Sequence, residues 1–92
     1  MSKTIWKFDV LANIASIVMP RGSRIISTGL DPTGTLCVWA IVDPSEIDRV
    51  RRRIRVIYTN EYFDLPPGRC TFVGTVVTGS FVLHVFDLGE DS

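Results

Sequence analysis

The sequence predicts an all-β domain, a small antiparallel sandwich or partly open barrel of about seven short strands. Proline and glycine recur roughly every ten residues, in PRGS (20–23), DPTG (31–34), DPSE (43–46), PPG (66–68) and TGS (78–80). The runs between these turns are rich in β-branched and aromatic residues that alternate in polarity. At 92 residues the chain has room for one domain, and with 46% of them hydrophobic it holds more apolar surface than so small an interior can bury. Burial against copies of itself is the common remedy, so a homo-oligomer is expected.

TIWKFDV opens the domain as a strand, with Thr4, Trp6, Phe8 and Val10 on one face and Ile5, Lys7 and Asp9 on the other. LANIASIVM (11–19) fits helical spacing in part, but it is short and ends in proline, so a loop followed by a strand near 14–19 is favoured. RIISTGL (24–30) and TLCVWAIVD (35–43) form a hairpin around Asp31-Pro32-Thr33-Gly34. The second of these is apolar on both faces, as suits a strand covered on both sides. Pro44 to Val50 is a loop with room for one helical turn capped by Ser45. RRRIRVIYT (51–59) is a strand with Ile54, Val56 and Tyr58 inward, Arg51, Arg53 and Arg55 outward, and Arg52 on the side opposite those three. NEYFDLPPG (60–68) is too polar and proline-rich for a strand. RCTFVGTVVTG (69–79) and SFVLHVFDL (80–88) make the last hairpin. The single β domain then covers residues 1–88, and 89–92 form a frayed acidic tail.

Ten Lys and Arg balance ten Asp and Glu, so the formal charge is zero. That average conceals a concentration. Residues 49–55 hold five arginines and no acid, and the remainder of the chain carries a net −5 from five basic and ten acidic groups. Neutrality argues against broad attraction to a nucleic-acid polymer, but not against a small anion held locally. Cys37 and Cys70 have neither metal-type nor redox-type spacing, and the one histidine, His84, cannot complete a zinc site with them. No cofactor or metal is expected. The N-terminus lacks the apolar stretch of a signal peptide, and the longest apolar run, LCVWAIV (36–42), is far too short to span a bilayer. A cytoplasmic setting with both thiols reduced and buried is the expectation.

The strongest local feature is the arginine row. On a strand, side chains two apart share a face at roughly 6–7 Å intervals, so Arg51, Arg53 and Arg55 present guanidinium groups suited to bidentate phosphate contacts. Two other readings stand beside it: an edge strand whose charges block sheet-to-sheet aggregation, or pairing with acids such as Glu46 and Asp48. Tyr58, Tyr62 and Phe63 lie close in sequence and could stack on a base, or Tyr58 is core and the other two fold down as a plug. Arg21 and Arg24, in MPRGSR, could add to an anion site around a glycine turn. His84 shares a face with Val82 and Phe86 and reads as structural. No nucleophile elbow, carboxylate pair or P-loop is present, and nothing supports an enzyme.

KTIWKF (3–8), MPRGSRI (19–25), WAIVDP (39–44), PPGR…VGT (66–75) and FVLHVF (81–86) stand in an order and spacing that resembles a family of small proteins of tailed phages and prophages. The similarity spans nearly the whole chain. It departs after the arginine strand, where family members carry a Gly-Thr-Gly-His-like turn and this chain has Tyr58-Thr59-Asn60-Glu61. The resemblance implies a phage origin and action in the host bacterial cytoplasm. By analogy with small phage β-proteins, it implies an oligomeric sponge that sequesters a cyclic-nucleotide-type signal of bacterial anti-phage defence. The ligand set expected for that role is Arg21, Arg24, Arg51, Arg53, Arg55, Tyr58, Tyr62 and Phe63. The rival expectation is a protein-interaction module, as an inhibitor of a host protein or a minor virion component. A nucleic-acid-binding role ranks behind both.

Overall fold

Seven strands form along residues 2–91, the part of the chain described by a computed structural model. They are β1 (Thr4–Asp9), β2 (Ile14–Pro20), β3 (Arg24–Leu30), β4 (Leu36–Val42), β5 (Arg49–Tyr58), β6 (Thr71–Thr78) and β7 (Phe81–Asp91). Two antiparallel sheets result, one in the order β1-β4-β3 and the other β2-β5-β7-β6. The sheets stack without closing into a barrel, and the Cα envelope of 42 × 34 × 17 Å is as thin as two layers require. This is the sandwich alternative of the sequence-based expectation.

Alternation explains which residues fill the space between the sheets. Val38 of the three-stranded sheet and Ile54, Val56, Val76, Leu83 and Val85 of the other are buried in one cluster with Val10. Phe8, Ile17, Ile25 and Tyr58 pack around it. β3 comes close to β6, where a Cβ at Gly74 would stand 3.0 Å from the Thr28 methyl, so glycine is needed for that approach.

A buried ion pair ties the core together. Arg52 shares the inward face with Ile54 and Val56, and it is only 3% exposed. Its Nε and Nη2 donate to the two carboxylate oxygens of Asp87 at 3.0 and 2.8 Å, and its Nη1 donates to the Ser23 carbonyl at 2.6 Å. Asp87 also accepts the Gly89 N–H at 2.8 Å. One guanidinium thereby joins β5, β7 and the β2–β3 turn.

The β3–β4 turn is held by Asp31, whose carboxylate accepts from Lys7 Nζ, the Thr33 N–H and hydroxyl, and the Thr35 N–H. The Lys7 ammonium first, then these donors, keep the Asp31 carboxyl well below the usual carboxylate range. The same contact raises the Lys7 ammonium above its ordinary value. For the acid, a lowered folded value means the stabilisation is complete above the unfolded pKa near ~4 and is lost as pH falls through the folded one. For the base, the stabilisation is complete below about pH 10 and is lost on going higher. In urea titrations from pH 7 to pH 2, Asp31→Asn is therefore expected to be less stable than the parent at pH 7, with the gap closing in the acid range. An equal gap at both ends would exclude this origin.

Four expectations are corrected. β5 lies between β2 and β7, so its arginines do not guard an edge. Residues 89–91 continue β7 instead of fraying, because a bulge opposite Arg53/Ile54 accommodates Gly89 at φ 88° and returns Glu90 and Asp91 to register with Arg52 and Arg51; the remaining tail residue lies outside the described chain. The 43–48 loop forms no helical turn, and the capping side chain there is Asp43, which accepts from the Ser45 N–H and hydroxyl. Cys37 is buried, its thiol pushed up by burial, whereas Cys70 is exposed.

Candidate functional site

β5 is central in its sheet, and its outward face carries the arginine row. Pairing places Ile14, Ser16 and Val18 of β2 beside Arg55, Arg53 and Arg51. On the other side, Phe86 pairs with Arg55 and His84 with Ile57. The connection between β5 and β6, rich in proline, lies over this outer face and buries Ile57, which would otherwise face solvent.

Beneath that connection two cavities lie side by side along β5. The first, about 370 Å³, is bounded by Ile14, Ser16, Arg53 and Arg55 from the sheet and by Asp64 and Pro66 from the connection, with Leu88 and Asp91 at the far side. The second, about 310 Å³, is bounded by Ile57, Tyr58, Glu61, Phe63, His84 and Phe86. Both are of small-molecule size.

The arginines differ in what they have left to offer. Arg55 is committed: its Nη2 donates to Glu61 Oε2 at 3.1 Å and its Nη1 to the Val56 carbonyl at 3.2 Å. The Tyr58 N–H, and after it the Arg55 guanidinium, hold the Glu61 carboxyl below its ordinary value, so it stays ionised and cancels that charge. Arg53 has no carboxylate partner among the described residues. Its Nη2 donates to the Leu88 carbonyl at 3.2 Å, and its Nε is buried with no partner among the described residues. An unmet guanidinium donor beside a cavity is costly unless something accepts from it. Arg51 is exposed and makes no ion pair among the described residues.

The other residues expected in the site are dispersed. Arg24 pairs with Ile41 on the outer face of the three-stranded sheet, so it points away from the row. Arg21 sits at the β2–β3 turn with Asp48 at 3.7 Å. Glu46 and Asp48 do not pair with the row, because Asp48 serves Arg21 and the Glu46 carbonyl accepts from Arg49. Tyr58 points between the sheets and meets the Phe81 ring edge-on, with centroids 5.6 Å apart, so its ring is excluded from stacking beside the row. Tyr62 is fully exposed, and Phe63 borders the second cavity. Among the bordering residues that sequence reasoning missed are Ile14, Ser16, Glu61, Asp64, Pro66 and Phe86. Phe86 alone had a signal, its alternation with His84.

His84 is fixed on both ring nitrogens, with Nε2 2.8 Å from the Thr59 hydroxyl and Nδ1 3.0 Å from the Thr75 hydroxyl. Thr59 lies in the turn that follows the arginine strand, and it serves there as a support for His84. With both nitrogens engaged, the ring is a brace between β6, β7 and the end of β5 rather than a free acid or base.

A family described as a domain of unknown function, DUF7352, matches residues 1–92, and the chain belongs to it. No curated protein and no solved structure matches the chain.

Proposed function

We propose that this DUF7352 chain is a non-catalytic binding protein whose outer β5 face captures a small phosphorylated ligand of the cyclic-nucleotide class. The carrying observation is Arg53, whose guanidinium lines a ligand-sized cavity and has no carboxylate partner among the described residues. A phosphate oxygen is a strong acceptor for such a donor, and Arg51 adds a second cation two residues away on the same face. The adjoining cavity offers Phe63 and Phe86 to a ring. Asp64 and Asp91 at the first cavity disfavour a bare polyanion, yet a carboxylate accepts well from the N–H groups of a base edge. Mixed charge of this kind suits a nucleotide better than inorganic phosphate or a nucleic-acid backbone.

Sequestration of a cyclic-nucleotide immune signal by a phage-encoded sponge in the bacterial cytoplasm is the biological setting we infer. It rests on this capture together with the resemblance to phage proteins. Isothermal titration against a panel of cyclic di- and trinucleotides tests it. Binding tighter than about 10 µM to at least one member is expected, and folded protein that binds none of them at that level would exclude the reading.

A further inference from the structure

β2 has a free edge that is better suited to pairing than any other in the molecule. The Val56 N–H donates to the Asn13 carbonyl at 2.8 Å, which makes Asn13 and Val56 a hydrogen-bonded pair. Alternation from that pair directs the backbone of Ala15, Ile17 and Met19 toward β5. The N–H and C=O groups of Ile14, Ser16 and Val18 are left on the outer edge. Pro20 falls in the same outward set, so its missing N–H costs the sheet nothing and ends the free ladder.

The remaining edges carry devices that discourage pairing. β1 holds Lys7 and Asp9, while β3 and β6 are interrupted by irregularities at Ile25/Ser27 and Phe72/Gly74. β2, IASIVMP, has neither a charge nor a bulge, and its Ile14 and Val18 are 75% and 51% exposed. Such an edge is an open template for another strand.

We propose that two copies of this chain join by antiparallel pairing of β2 with β2, centred on Ser16. The partner is identified by self-complementarity. With Ser16 opposite Ser16 across a two-fold axis, Ile14 of each copy falls opposite Val18 of the other. All three positions then meet through outward backbone groups, for roughly six hydrogen bonds. The apolar pairs Ile14–Val18 close the seam on the outer face, and no like charges oppose one another along it.

The two four-stranded sheets become one continuous sheet. Antiparallel pairing about an axis perpendicular to it keeps both arginine rows on the same side, separated by three strand spacings, about 14 Å. The pairing stands on the β2 edge alone and does not depend on the ligand reading, but it would present that reading's site twice around one trough.

Sedimentation equilibrium of the full chain tests the proposal. The parent is expected to sediment at twice its 10.3 kDa mass. Ile14→Glu with Val18→Glu places like charges opposite each other and should give a monomer with unchanged circular dichroism, each new acid lying beside an arginine of its own β5. Ile14→Lys with Val18→Glu alters the same two positions but places opposite charges together, and it should remain dimeric. In a Cys70→Ser background, Ser16→Cys should cross-link between copies on mild oxidation, since paired Cα atoms lie about 5.5 Å apart. A monomeric parent at about 100 µM, a dimer that survives the Glu–Glu variant, or Ser16→Cys that stays uncross-linked would each overturn the pairing.

Discussion

Arg52→Ala is expected to cost about 3–5 kcal/mol of stability, a large share of what a domain of this size holds. The magnitude follows from burial. Asp87 would be left in the interior with only the Gly89 N–H to meet its carboxyl group, and the Ser23 carbonyl would lose its buried donor. Asp87→Ala should cost a similar amount for the converse reason, leaving a buried guanidinium with the Ser23 carbonyl alone. At roughly 4–8 °C per kcal/mol, either change lowers the melting temperature by at least about 12 °C. The double replacement Arg52→Ala with Asp87→Ala removes both charges together, so it should cost clearly less than the sum of the single variants. Urea unfolding of the four proteins measures the coupling. Strictly additive losses would show that the two side chains act independently, contrary to their bidentate geometry.

This pair marks the boundary of what the chain discloses locally. Alternation along RRRIRVIY places Arg52 on the face of Ile54 and Val56, so its inward direction was legible. What it met there was not, because Asp87 is 35 residues away on a strand whose order in the sheet no local pattern encodes. For the same reason β5 could be read as an edge, whereas it is flanked by β2 and β7. The turns and hairpins were legible because their determinants are contiguous, as at Asp31-Pro32-Thr33-Gly34. The strand at 81–88 was extended past its expected end by Gly89, where a positive φ continues the ladder through a bulge instead of breaking it.

The candidate site follows the same division. Parity alone put Arg51, Arg53 and Arg55 on one side. Parity also put Tyr58 on the other, and its assignment to a stacking role was at odds with its own strand. Arg24 illustrates a different difficulty. It belongs to the three-stranded sheet, whose outward face is turned the opposite way from the arginine row. Asp64 and Pro66 come from a connection with no periodicity, and only the folded path of that connection reveals that it covers β5.

These placements make the ligand reading discriminating rather than a general appeal to positive charge. Arg53→Ala removes the cavity-lining guanidinium that no described carboxylate neutralises, and hydrogen bonds to charged groups contribute about 1.5–3 kcal/mol, so affinity for the bound nucleotide should fall about 10- to 150-fold. Arg53→Lys keeps the charge but loses the forked geometry and should recover only part of the loss. Arg55→Ala exposes the opposite logic. Its charge is already cancelled by Glu61, and deleting it leaves an ionised Glu61 nearer the ligand, so it weakens binding through repulsion; Arg55→Ala with Glu61→Gln should then restore most of the affinity. Arg24→Ala, on the far face, should bind as the parent does. Titration calorimetry on the parent and these five variants at fixed ionic strength distinguishes these cases, because diffuse attraction would make Arg24→Ala and Arg53→Ala lose alike. Equal losses at those two positions would show that the cavity beside Arg53 is not where the anion is held.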